Sequence, residues 1–92
     1  MFYMVIETFR DASEVYRRFD ANGRMMPEGL NFVSSWIERD LNRCFQVMEA
    51  DDPSLLAEWT RNWDDLMDFE IIPVVDSAEA RRMILGGPLE LR

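Results

Sequence analysis

Glu7, Glu49 and Glu70 each lie in or at the end of an apolar stretch, and three carboxylates brought to one place would do acid–base or metal chemistry. Carboxylates set close together cannot all ionise cheaply, so one takes a raised pKa or the group gathers arginine or a metal ion. A raised carboxylate is a usable general base. Convergence depends on register. It requires Glu7 on a first strand to face Glu70 on a fourth, with a parallel third strand placing Glu49 beside Glu7. Tyr3, Val5, Phe45, Val47, Ile72 and Val74 would then share that face. The alternative is that the glutamates sit at the rim of a sheet and pair with arginines such as Arg18, Arg24 or Arg61.

A second set would share the opposite face: Ser34, Trp36, Glu38, Cys44, Gln46, Met4 and Met48. Gln46 stands out in mid-strand, because a buried amide is costly unless hydrogen-bonded; Ser34, Trp36 or a bound ligand would supply the partner. An amide, an indole and flexible methionines suit a flat or apolar small molecule, and a polar contact across a dimer seam is the other reading. Trp59 and Trp63 pack a helix on the sheet, or one edge of them lines a cavity. The ligand-binding candidates are therefore Trp36, Cys44, Gln46, Trp59 and Trp63. Cys44 has no histidine or lysine to lower its pKa and reads as a small buried hydrophobe. Asp64, Asp65 and Asp68 crowd a helix end where the dipole disfavours them, so exposure, an arginine or a weak metal site would relieve them.

Two absences narrow the chemistry further. The chain has no histidine, which excludes a Ser-His-Asp triad, a His-liganded zinc and His-ligated haem. It also has no lysine, which excludes Schiff-base chemistry and a Walker-type phosphate loop. No metal and no cofactor are expected. A net charge of −8 with no basic run argues against nucleic acid and anionic membranes. No segment is long and apolar enough to cross a bilayer. With one cysteine and a start, Met1-Phe2-Tyr3, unlike that of a signal peptide, a reducing, cytoplasmic location is expected.

These residues need a scaffold, and the chain's patterning supplies one. Alternating large residues predict strands over Phe2–Thr8, Phe32–Ile37, Arg43–Glu49 and Phe69–Val75. Asp11 or Ser13 starts a first helix with Val15, Tyr16 and Phe19 at helical spacing, and Gly23 ends it. Met25–Gly29 is a linker and Arg39–Asn42 a hairpin turn. Asp52-Pro53 opens a second helix whose stripe runs Leu55, Leu56, Trp59, Trp63, Leu66 and Met67. Asp76-Ser77-Ala78-Glu79 is a capping box for a third helix through Leu85, stopped by Gly86-Gly87-Pro88. The order is that of an α+β, ferredoxin-like βαββαβ sandwich, with helices on one face of a four-stranded antiparallel sheet ordered 4-1-3-2. One domain over residues 1–85 is expected, with a flexible tail at 86–92. The strands carry large side chains on both faces, and so small a chain covers only one. A homodimer through the other sheet face follows.

Met4-Val5-Ile6-Glu7, Gly23-Arg24-Met25, Pro27-Glu28-Gly29-Leu30, Ser35-Trp36, Arg43-Cys44-Phe45-Gln46, Met48-Glu49, Asp52-Pro53, Trp59, Trp63 and Asp68-Phe69-Glu70 together resemble the bacterial domain-of-unknown-function family 3303. The resemblance extends to about Ala80. It implies the dimeric α+β barrel superfamily, whose relatives include cofactor-free monooxygenases, isomerases and pocket proteins, and it implies no activity. Two functional readings stand. One is a homodimer that binds an apolar small molecule or a protein partner. The other is a cofactor-free monooxygenase- or isomerase-type enzyme using a buried carboxylate as base. An enclosed cavity with a buried, unpaired glutamate would favour the enzyme, and a cavity-free seam the interaction protein.

Overall fold

The structure, a computed structural model, describes residues 1–86. Its elements are β1 (Phe2–Phe9), α1 (Ala12–Asn22), β2 (Leu30–Ile37), β3 (Arg43–Ala50), α2 (Ser54–Thr60), β4 (Met67–Val74) and α3 (Ser77–Leu85). The four strands form one antiparallel sheet in the order β2-β3-β1-β4, and βαββαβ is the ferredoxin-like arrangement. The predicted tail, beyond Gly86, lies outside the described residues.

Register decides the faces. Tyr3 pairs with Met48, Val5 with Gln46 and Glu7 with Cys44, so these six side chains share one face, and β4 adds Phe69 opposite Glu7. Directly opposite residues of an antiparallel pair point the same way. Val15 from α1 and Leu56 and Trp59 from α2 pack in one core with Tyr3, Val5 and Met48, so both helices cover this face. Phe2, Met4, Ile6, Phe45, Val47 and Ile72 line the other, away from α1 and α2.

Local chemistry explains the elements. The Asp11 side chain accepts the Glu14 amide at the start of α1, and Gly23, at φ 68°, closes it with its N–H on the Phe19 carbonyl. Asp52 accepts the Ser54 amide at 2.9 Å and Asp76 that of Glu79 at 2.8 Å. Pro73 lies in β4, an edge strand, where a missing N–H is tolerated.

Two expectations need correction. The stripe from Leu55 to Met67 is not one helix. α2 ends at Thr60, Trp63 and Leu66 lie in tight turns closed by Trp63 N to Thr60 O (3.0 Å) and Leu66 N to Trp63 O (2.9 Å), and Met67 begins β4. Apolar spacing of three or four reports which side chains face the core, and three-residue turns meet it as well as α-helix does. In β2 an irregularity between Phe32 and Ser34 shifts the phase, so Ser35, not Ser34, sits opposite Gln46.

Two of the three acids after α2, Asp65 and Asp68, find arginines, whereas Asp64 offers Arg10 only its backbone carbonyl. Arg18 holds Asp65 through both oxygens at 2.7 and 2.8 Å, and Arg10 pairs with Asp68. α3 buries none of its residues; Met83, Ile84 and Leu85 are all exposed, Ile84 by 82%.

Candidate functional site

A cavity of about 90 Å³ lies between the covered sheet face and α1 and α2. One water needs roughly 10–15 Å³ on the same measure, so there is room for a small molecule. The sheet contributes Glu7, Ser35, Cys44 and Gln46 as its floor. Tyr16 and Phe19 from α1 and Trp59 and Trp63 from the α2 side form apolar walls, and Arg24 enters from the loop after α1.

Glu7 is the chemically unusual member. It is 6% exposed, and among the described residues no arginine reaches within ion-pair distance of it. Burial pushes its carboxyl up from 4.5 to about 7, opposed in part by a hydrogen bond with the Cys44 thiol and by the charge of Arg24. Cys44 moves the same way for related reasons. Burial and the neighbouring carboxylate push the thiol up to about 12, which makes it a donor to Glu7 and a poor nucleophile. Tyr16, at the pocket's edge, is raised by burial and by these same acids.

Arg24 is built into place from both ends. Its carbonyl accepts the indole N–H of Trp59 at 2.8 Å and of Trp63 at 3.1 Å, and the next carbonyl, Met25, accepts the Asn62 amide at 3.1 Å. Met25 is held at φ 58°, a conformation uncommon outside glycine, so packing overrides local preference here. The guanidinium lies 3.8 Å from the centre of the Phe32 ring and 5.0 Å from that of Phe19, and its Nε donates to Gln46 Oε1 at 3.1 Å. The Gln46 amide in turn faces the Met48 sulfur.

Of the ligand-binding candidates, the structure brings Cys44, Gln46, Trp59 and Trp63 together around the cavity. Trp36 is not among them; it pairs with Phe45 on the uncovered face and is 72% exposed. The three glutamates do not converge. β3 runs antiparallel to β1, so Glu49 sits opposite Phe2, five positions and about 17 Å along the strand from Glu7. Glu70 pairs with Ile6 and points to the other face. The proposed grouping of Tyr3 and Val5 with Phe45, Val47, Ile72 and Val74 fails for the same reason. The polar partners of Glu7 are Cys44 and Arg24. Arg24 was open to discovery in the sequence only as one of several arginines for the glutamates, because its position depends on a long-range indole clamp.

Among the described residues no group of three or more acidic or cysteine side chains is arranged to hold a metal ion. Comparison with curated proteins finds no match, and neither does comparison with solved structures. The family model for the domain of unknown function DUF3303 matches residues 1–87, past the Ala80 at which the resemblance was expected to stop and through the whole of α3, and the chain belongs to that family.

Proposed function

We propose that this domain binds a small molecule in the cavity between the sheet and α1–α2, and that Glu7 exchanges a proton with it. The carrying observation is a buried carboxylate that lines a cavity and has no ion-pair partner among the described residues. A structural glutamate at this depth is ordinarily paired, because an unpaired charge is costly to bury. A pocket carboxylate near neutrality can accept or donate a proton at physiological pH. This supports the cofactor-free enzyme reading, with proton abstraction from a weakly acidic substrate as the reaction class. Tryptophan fluorescence tests it. In a Trp36→Phe protein the remaining indoles, Trp59 and Trp63, both line the pocket. A library of small polar aromatic molecules should yield ligands that alter this emission and shift the pocket's amide resonances. Ligands that move only residues of the open sheet face, or none at all, would overturn the proposal.

We further propose that two copies pair through the open faces in the manner of a dimeric α+β barrel. Phe2, Met4, Ile6, Phe45, Val47 and Ile72 form an apolar layer there, with Trp36 at its edge and Glu49 and Glu70 beside Phe2 and Ile6, and a twofold axis would bury two such layers at once. The unpacked α3 adds apolar surface of the same kind. Sedimentation at micromolar concentration should show a dimer, and Ile72→Asp should dissociate it. A well-behaved monomer would refute this assembly.

A further inference from the structure

Among the described residues Arg24 is the one cation lining the pocket, and no carboxylate lies within ion-pair distance of it. Arg10, Arg17, Arg18, Arg43 and Arg82 each pair with a carboxylate. Arg24 does not: among the described residues its only side-chain hydrogen bond is from Nε to Gln46. What sets Arg24 apart from Arg39, Arg61 and Arg81, which also lack an ion pair among the described residues, is that it lines the pocket. The ring of Phe32 occupies one flank of the guanidinium, the two indoles fix its backbone, and among the described residues the planar edge bearing Nη1 and Nη2 has no bond. That edge is the part of arginine that matches two oxygens of a carboxylate.

We infer that the pocket selects a small planar organic acid, whose anionic group binds the unpaired edge of Arg24 while its flat body lies against the aromatic walls. This rests on the cavity being a small-molecule site, and adds the class of molecule. The protein's net charge of −8 makes its general field unfavourable for an anion. The affinity must therefore come from Arg24 locally. Glu7 on the same floor makes binding depend on its proton, since a neutral carboxyl tolerates the ligand and a carboxylate repels it. The titratable and charged groups facing Glu7 are the Cys44 thiol from β3, Tyr16 from α1 and Arg24 from the loop. β4 presents Phe69 and Met67, and the α2 side presents the two indoles.

The test compares benzoate, benzamide and benzamidine, three molecules of one shape and different charge, by amide chemical-shift titration of the whole protein. Benzoate should shift pocket residues and bind about tenfold or more tightly than benzamide. Raising the pH from 5.5 to 8.5, over which benzoate stays ionised, should weaken benzoate by about tenfold and leave benzamide unchanged. Arg24→Met should abolish the preference for benzoate, and Arg24→Lys, which keeps the charge, should retain part of it. Equal binding of benzoate and benzamide, or strongest binding of benzamidine, would overturn the inference while leaving a small-molecule site in place. If none of the three shifts the pocket, both readings fall.

Discussion

Glu7→Gln isolates the cost of holding an ionisable group against the sheet. The carboxyl titrates near 4.5 in an exposed chain and near 7 in the folded protein. At about 1.4 kcal/mol per pH unit, that difference is worth about 3 kcal/mol. The sign follows from proton binding. Between pH 4.5 and 7 the folded protein keeps a proton that the unfolded chain releases, so unfolding is favoured as pH rises through that window. Below 4.5 both states hold the proton and the penalty is absent; above about 7 both have lost it and the penalty is complete. A domain of this size has roughly 5–15 kcal/mol of stability in all, so the effect is large. Glutamine keeps the shape and cannot ionise. Urea unfolding of both proteins, followed by tryptophan fluorescence from pH 4.5 to 8, should show the stability of the variant relative to wild type growing by about 3 kcal/mol. The other titrating groups cancel in this difference. A difference that stays flat across the range would refute the assignment of a shifted carboxyl to Glu7.

Of the remaining consequences, the first shares the burial and the charge of Glu7, and the other two are independent of its titration. Cys44, with its thiol near 12 instead of 9.0, has about a thousandfold less thiolate at pH 8 than an ordinary cysteine, so iodoacetamide should label it only after unfolding. Rapid labelling of the folded protein, read by mass, would contradict its placement. Trp63→Phe removes one of two donors from the Arg24 carbonyl and should lower stability by roughly 1–3 kcal/mol in chemical unfolding, whereas no loss would show the clamp to be idle. Gly29 has φ 92°, and an added Cβ would meet Leu55 Cδ1 at 2.9 Å; Gly29→Ala should cost roughly 1–3 kcal/mol, chiefly through backbone strain.

The scaffold was readable because its signals are local. Alternation in Phe2–Phe9 and Arg43–Ala50, the Asp11 and Asp76 caps and Gly23 each act within a few residues of themselves. Glu7, Cys44, Gln46, Trp59 and Trp63 could be singled out by type for similar reasons. Their grouping could not, because it depends on relations between distant segments. Taking β3 as parallel to β1 moved Glu49 beside Glu7, whereas the antiparallel register puts Cys44 there. The shift after Phe32 changed which serine faces Gln46, and no residue in that stretch announces it. Trp36 looked like a pocket residue by chemistry alone, yet strand parity turns it to the opposite face. Arg24 gave the weakest signal of all. Its role rests on two indole N–H groups, 35 and 39 positions later, meeting on its carbonyl.

The most direct measurement is the ionisation of Glu7 itself, followed by the ¹³C resonance of its side-chain carboxyl from pH 4 to 9 and assigned by its loss in Glu7→Gln. A midpoint near 7 is what the buried, unpaired position beside Cys44 predicts. A midpoint near 4.5 would show a solvated or ion-paired carboxylate, and the pocket would then have no group to exchange a proton at neutral pH.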